Sequence, residues 1–162
     1  MSSTSSPTPS SETAKLNAMN NRFSADLKES ISFSAEEAIR TGSPAIRAAH
    51  LLLGLIRQGH NAAVTLLAGD LGLPLPELKA AIEATLPPAG QQHRRPSRLP
   101  VDPEAERSIR GSVIEAKKTG NRIIGADHLL VSLFNDHENQ LYLIFRRWGI
   151  DRLPYPGMES SK

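Results

Sequence analysis

The sequence predicts an all-α protein built from two tandem copies of one helical unit, packed about a pseudo-two-fold axis. Aromatic residues make up only 4% of the chain, and Ala and Leu dominate its apolar residues, a mixture that favours helices over a β-sandwich. Two segments match each other without a gap at an offset of 78 residues. Residues that start and stop helices recur at equivalent positions in both segments.

The internal repeat is clearest between residues 38–56 and 116–134, where nine of nineteen aligned positions are identical. A unit of three or four short helices cannot bury its apolar side on its own. We therefore expect the two copies to pack against each other and share one core.

The repeat divides the chain into copy one, residues 23–86, and copy two, residues 101–153. Residues 1–22 are rich in Ser, Thr, Pro and Asn, and we expect a disordered tail there. Residues 87–100 are polar and Pro-rich, as expected of a linker. Residues 154–162 are expected to form a second tail.

Copy one is expected to hold four helices. Ser24 can cap the first, which runs to about Thr41 and stops at Gly42. The second is expected over about 48–57. Asn61 can cap a third to about Leu71, and a fourth starts at Pro76-Glu77 and ends before Pro87.

Copy two is expected to hold three helices. Asp102-Pro103-Glu104 combines a cap, a first-turn proline and an early acid, and predicts a helix to about Thr119. The next two are expected over about 126–135 and 138–148. A fourth helix is not expected, because prolines follow at 154 and 156.

Composition excludes several classes of site. The chain has no cysteine, so disulfides, thiol catalysis and thiolate zinc sites are excluded. No apolar run approaches the ~20 residues of a membrane helix, and no apolar segment typical of a signal peptide follows the Ser-rich start. We expect a cytoplasmic protein without a membrane partner, although the Ser-rich start leaves an organellar transit peptide open.

The sequence does not predict an enzyme or a cofactor. It contains neither a Gly-x-x-x-x-Gly-Lys-Ser/Thr phosphate loop nor a Gly-x-Ser-x-Gly nucleophile motif. His50 and His128 occupy equivalent positions, and no second histidine follows four residues later as in a helical zinc site. The interpretation we favour is a packed histidine that hydrogen-bonds backbone at the start of each second helix.

Two basic clusters, residues 94–98 and Arg146-Arg147 next to Trp148, leave open a helical DNA-binding regulator. Against it, the formal net charge is only +2, and the first cluster lies in the expected linker. We interpret Trp148 as a core anchor. A domain that has acquired another small ligand is a third alternative.

The spacing within each copy resembles the Clp N-terminal repeat, which occurs as a tandem pair at the head of Clp-type AAA+ unfoldases. The resemblance covers about residues 23–153. The motif residues in copy one are Phe23-Ser24, Glu37-Ala38, Gly42, Ile46 and His50-Leu51-Leu52, and those in copy two are Val101-Asp102, Glu115-Ala116, Gly120, Ile124 and His128-Leu129-Leu130.

The resemblance implies an all-α, non-catalytic module that binds proteins. The chain is similar in architecture to stand-alone family members that accompany a Clp unfoldase or protease. It implies an accessory, adaptor or substrate-recognition protein, expected to be a monomer, whose partners are the unfoldase, the protease or their substrates. Whether it promotes or inhibits proteolysis stays open, and a nucleic-acid partner is not expected.

In some relatives, a Ser or Thr near the start of the repeat and an acid before its histidine form a phospho-arginine pocket. Here these positions are Ser24 and Ala49 in copy one, and Asp102 and Asp127 in copy two. The resemblance thus implies peptide or arginine binding by Ser24, Asp102 and Asp127. We expect the two positions of each copy to share a pocket, so that the paired carboxylates of copy two favour plain arginine over phospho-arginine.

Overall fold

The computed structural model describes residues 22–87 and 99–153, and the expected tails and most of the linker lie outside these ranges. The described residues form seven α-helices and no extended strand. The helices are α1 Ala25–Arg40, α2 Ala48–Gln58, α3 Ala62–Val64, α4 Leu75–Glu83, α5 Pro103–Lys118, α6 Ala126–Asn135 and α7 Leu141–Arg147. The predicted all-α class is confirmed.

The two copies exchange backbone hydrogen bonds in a symmetric way. Phe23 of copy one forms a parallel bridge with Ile124 of copy two, and Val101 of copy two forms one with Ile46 of copy one. Each pair is the 78-residue equivalent of the other. This reciprocity confirms the predicted pseudo-two-fold.

A single core runs through both copies. Helix α2 contacts α5 and α6, and α4 packs against α7 of the other copy. The apolar spacing of each helix turns one side to this shared interior, since neither copy has enough helices to enclose it alone. Large side chains that are fully buried come from both copies: Leu27, Leu51, Leu52, Leu67, Leu78, Ile82, Ile124, Leu129, Leu130 and Phe145.

The caps that the sequence predicts lie at the starts of three helices. Ser24 Oγ accepts from the N–H of Leu27 at 3.2 Å, and Asp102 Oδ1 accepts from the N–H of Ala105 at 2.8 Å. Asn61 Oδ1 accepts from the N–H of Val64 at 2.9 Å. These bonds satisfy N–H groups that have no partner within the first turn of a helix.

Two helices of the sequence prediction differ in the structure. The third helix is α-helical only over α3 and continues as a π-helical segment, Thr65–Asp70. The last helix starts at Leu141 instead of residue 138. The buried Asn139 explains this start: its side chain donates to Leu133 O at 3.4 Å and accepts from the N–H of Leu141 at 2.8 Å, which keeps residues 137–140 in turns.

Copy two has no counterpart of α4 within the described residues, which end at Leu153. No helix in residues 22–87 and 99–153 is long and apolar enough to cross a membrane.

Candidate ligand sites at the junction of the two copies

The start of each copy's first helix lies against the loop that leads to the second helix of the other copy. The N–H of Ser24 donates to Ile124 O at 2.8 Å, and the N–H of Asp102 donates to Ile46 O at 3.0 Å. The residue that accepts from Ser24 therefore lies three positions before Asp127 in the chain. The residue that accepts from Asp102 lies three positions before Ala49.

This crossing overturns the expected pairing of Asp102 with Asp127. Asp102 caps the start of α5, whereas Asp127 lies at the start of α6, next to His128, which contacts Thr119 at the other end of α5. A helix of 16 residues is about 24 Å long. The two carboxylates are therefore too far apart to share a pocket, and for the same reason Ser24 and Ala49 lie at opposite ends of α1.

The crossing defines two equivalent sites. The Ser24 site consists of Ser24 and Asp26 from copy one with Gly125 and Asp127 from copy two. The Asp102 site consists of their equivalents, Asp102 and Glu104 with Arg47 and Ala49. Sequence reasoning missed Asp26, Glu104, Arg47 and Gly125, although the 78-residue offset already aligns them as two pairs.

The Ser24 site combines a hydroxyl with two carboxylates. The Ser24 hydroxyl donates to a carboxylate oxygen of Asp26. Asp127 Oδ1 lies 3.6 Å from Nδ1 of His128, and 28% of the Asp127 side chain is exposed. Gly125 contributes no side chain, so the Asp127 carboxylate is accessible from solvent.

At the Asp102 site, Arg47, Ala49 and Glu104 line a pocket that is open to solvent. Arg47 Nε lies 3.7 Å from Asp102 Oδ2. Burial raises the pKa of Glu104, and the negative charge of Asp102 adds to this rise. The Glu104 carboxylate thus lines the pocket, and the Asp102 carboxylate lies beside the Arg47 guanidinium.

A histidine holds the loop that forms one side of each site. Nδ1 of His50 accepts from the N–H of Arg47 at 2.9 Å, and Nε2 lies 2.9 Å from the Thr41 hydroxyl. Since Nδ1 accepts, the proton is assigned to Nε2. His128 makes the same bonds, to Gly125 N–H at 2.8 Å and to Thr119 at 3.2 Å. The predicted packed histidines are confirmed.

In the basic cluster of copy two, Arg146 and Arg147 are exposed and only Trp148 contacts the core. Trp148 is half-buried and packs against the core, in agreement with its interpretation as an anchor. Arg146 donates to the Tyr142 hydroxyl at 2.7 Å and lies over its ring. Residues 94–98 lie outside the described residues.

The family model of the Clp repeat (R) N-terminal domain matches residues 22–147. The chain belongs to this family. Among curated relatives, it is 28% identical over 129 residues to the negative regulator of genetic competence ClpC/MecB of Bacillus subtilis. The match covers 80% of this chain but 15% of that relative, so the chain spans about a seventh of that protein's length.

Solved structures of Clp N-domains share the fold. The N-terminal domain of ClpD from Arabidopsis thaliana superposes with a TM-score of 0.61 at 22% identity, covering 81% of this chain and 87% of that one. A ClpV N-domain solved in complex with a VipB peptide gives a TM-score of 0.65 at 15% identity, covering 81% of both chains.

Proposed function

We propose that this Clp N-domain protein is a non-catalytic binding module that captures arginine-bearing segments of partner proteins at the Ser24 site. We further propose that it serves a Clp unfoldase–protease as an accessory, adaptor or substrate-recognition protein. The observation that carries the proposal is the crossed junction, in which the backbone N–H of Ser24 in copy one bonds to Ile124 O, three residues before Asp127 in copy two.

The charge of the Ser24 site suits a guanidinium. Asp127 is partly exposed, and Gly125, two residues before it, has no side chain beside the carboxylate. A carboxylate binds a guanidinium through two parallel charge-assisted hydrogen bonds. Asp127 and the Ser24–Asp26 pair come from segments joined by the bond from Ser24 to Ile124, and we propose that a bound arginine contacts both.

The same site disfavours phospho-arginine. A phosphoryl group on arginine adds about −1.5 to −2 charges. Placed at the Ser24 hydroxyl, it would lie beside the Asp26 carboxylate, since that hydroxyl donates to Asp26. One pair of like charges at 4 Å costs about 4 kcal/mol at an effective dielectric constant of 20, before salt screening reduces it. We therefore propose a preference for unmodified arginine.

A protein partner is supported by the ClpV N-domain, which shares this fold and was solved with a peptide bound. A role beside an unfoldase is supported by the curated relatives, in which the matching region is a small part of a much longer chain.

The binding proposal is tested by calorimetry with three peptides that differ at one residue: arginine, phospho-arginine or citrulline, which lacks the charge. We expect the arginine peptide to bind best and the phospho-arginine and citrulline peptides to bind more weakly, with a loss of arginine binding by about ten-fold or more in Asp127→Asn. Asp151→Asn, at an exposed aspartate, is the matched control. Equal binding of the citrulline peptide, or full binding by Asp127→Asn, would contradict the proposal.

The role in proteolysis is tested in a reconstituted Clp unfoldase–protease that degrades an arginine-rich substrate. Adding the wild-type chain should change the degradation rate, whereas Asp127→Asn should not. No change with the wild-type chain would remove the accessory role. Tight DNA binding that weakens steeply between low and moderate salt would instead favour a nucleic-acid regulator.

A further inference from the structure

We infer that Arg47 is an internal occupant of the Asp102 site: its guanidinium takes the place of a ligand's guanidinium and leaves the Ser24 site as the one that partners use. The inference rests on the proposed function of the Ser24 site, because it assumes that the two equivalent sites recognise the same chemical group.

Arg47 and Gly125 are equivalent residues with the same backbone conformation. They are 78 residues apart, and each immediately precedes a second helix. Arg47 has φ −104° and ψ 171°, and Gly125 has φ −105° and ψ 176°. A side chain on either residue would therefore leave the backbone in the same direction. The Asp102 site has a guanidinium on that path, and the Ser24 site has none.

The contacts of Arg47 match those expected of a bound arginine. Its side chain lines the pocket with Ala49 and Glu104, and its Nε lies 3.7 Å from Asp102 Oδ2. The charge of Arg47 also acts on Glu104, whose carboxylate faces the same pocket. A ligand guanidinium would seek these same two carboxylates.

Arg47 blocks the pocket without being a strong element of stability. Its contact with Asp102 is longer than a hydrogen bond, and 41% of its side chain is exposed. Such exposed ion pairs contribute little to stability. A tethered group nevertheless has an effective concentration on the order of millimolar, which is enough to exclude weak ligands from outside. Removing the Arg47 side chain should therefore open the pocket and leave the fold intact.

The opened Asp102 site would still differ from the Ser24 site. It has Asp102 in place of the Ser24 hydroxyl, and Ala49 in place of the Asp127 carboxylate. Asp102 and Glu104 remain to hold a guanidinium, whereas a phosphoryl group would meet two carboxylates. The opened site should therefore bind arginine and reject phospho-arginine.

The reverse change is also possible at Gly125. A Cβ atom added there would lie 2.7 Å from Asp127 Oδ1, the mobile end of a side chain, and 3.8 Å from His128 Nδ1. The φ of −105° is accessible to any residue. Gly125→Arg should therefore fold and direct a guanidinium into the Ser24 site, towards Ser24 and Asp26, which are the equivalents of Asp102 and Glu104.

The test is an amide NMR titration with Nα-acetyl-arginine amide on the full chain. In the wild type, we expect saturable shifts at Ser24, Gly125 and Asp127. In Arg47→Ala, and in Arg47→Gly as a second variant, a new set should appear at Ala48, Ala49 and Asp102, with binding there about five-fold tighter than in the wild type. Nα-acetyl-phospho-arginine amide should not produce this second set.

Gly125→Arg should weaken binding at the Ser24 site by about ten-fold, while Ile123→Arg, which adds the same charge at an exposed residue of the same loop, should change it less than about two-fold. The inference is overturned if both Arg47 variants keep the amide chemical-shift dispersion of the folded wild type but show no second set of shifting amides. It is also overturned if Gly125→Arg binds the arginine amide as tightly as the wild type does. If the wild type shows no ligand-induced shifts at the Ser24 site, the proposed function is refuted. A second set of shifting amides in Arg47→Ala would still support the inference.

Discussion

Copy one and copy two differ most where their side chains face solvent or ligand, and least where they hold the junction. The Thr–His pair recurs as Thr41–His50 and Thr119–His128 with matching bonds. The buried asparagine recurs as Asn61 and Asn139, whose side chains donate to Leu55 O and Leu133 O. The histidines hold the loops that bond to the other copy, whereas the asparagines join the second helix of each copy to the turn that follows it.

The helix crossing inside each copy is built differently. In copy one, Gly54 on α2 lies against the backbone of α1, and a Cβ atom there would be 2.3 Å from Ser30 O. In copy two, the equivalent residue is Ser132, whose hydroxyl donates to Ser108 O at 2.7 Å, and Gly111 on α5 leaves room for it. Close approach is thus required in both copies, but the glycine lies on different helices.

The buried glutamate of each copy also has different partners. Glu37 accepts from Arg40 at 2.7 Å and from Arg57 at 3.2 Å. Burial alone would raise the pKa of Glu37, but the hydrogen bond and charge of Arg40, followed by the charge of Arg57, hold the pKa below its usual range. Glu115 has only contacts of 3.5 Å to Lys118 and Asn135. The comparison shows that the fold needs a satisfied carboxylate here, but not a particular cation.

The largest difference between the copies is α4, which has no counterpart in the described part of copy two. We expect substitutions of its buried side chains to have the largest effect on stability. Leu78 and Ile82 are fully buried. Leu78→Ala or Ile82→Ala should each lower the free energy of unfolding by about 2–5 kcal/mol. Lys79→Ala, at an exposed residue of the same helix, should change it by less than about 0.5 kcal/mol. Urea denaturation measures all three, and similar losses from Lys79→Ala and Leu78→Ala would show that α4 is not part of the shared core.

A smaller effect is expected from acid at His50. Burial, together with the positive charge of Arg47, lowers the pKa of His50 to about 4. The unfolded chain, with an ordinary value near 6.5, binds the proton more readily. The stability from neutral His50 is therefore complete above about pH 6.5 and is lost as the pH falls towards 4, by on the order of 2–3 kcal/mol.

The measurement for His50 is the difference in unfolding free energy between pH 7 and pH 4.5, compared between the wild type and His50→Gln. The variant should lose less stability over this range, because it has no ring to protonate. His60→Gln, at an exposed histidine, should behave as the wild type. If His50→Gln and the wild type lose the same unfolding free energy between pH 7 and pH 4.5, the loss is due to the carboxylates.

The two helix crossings should respond differently to added methyl groups. Gly54→Ala should cost about 1–3 kcal/mol, because its Cβ would meet backbone that cannot move aside. Gly111→Ala would meet the Ser132 side chain at 2.2 Å, so adding Ser132→Gly should restore most of its loss. Gly69→Ala, which meets no atom within 4 Å, is the control. Thermal unfolding of the single and double variants decides this, and failure of the rescue would mean that α5 and α6 clash elsewhere.

The smallest effect is expected from the two glutamates. Glu37→Gln should destabilise by about 1–2 kcal/mol, because it removes charge-assisted bonds to Arg40 and Arg57 inside the protein. Glu115→Gln should cost under about 1 kcal/mol, given its longer contacts. Denaturation at pH 7 compares them, and a larger loss at Glu115 would reverse the interpretation of the two ion pairs.

Much of the fold follows from local signals in the sequence. The cap residues Ser24 and Asp102, the glycine stops Gly42 and Gly120, and the helical spacing of Leu and Ala predict α1, α2, α5 and α6 to within a residue or two at each end. The late start of α7 was missed because Asn139 bonds to Leu133 in the preceding helix, a contact that helix-start rules do not include.

The sequence by itself determined the helical class, the two copies and the family, because caps, periodicity and a 78-residue repeat are local or one-dimensional signals. Only the tertiary structure decided which side chains share a site. An internal repeat has the same appearance whether Asp102 meets the loop of its own copy or that of the other. The backbone bonds from Ser24 to Ile124 and from Asp102 to Ile46 select the second arrangement. A 16-residue helix separates the start of each copy from its own second helix, so the two positions of a site must come from different copies.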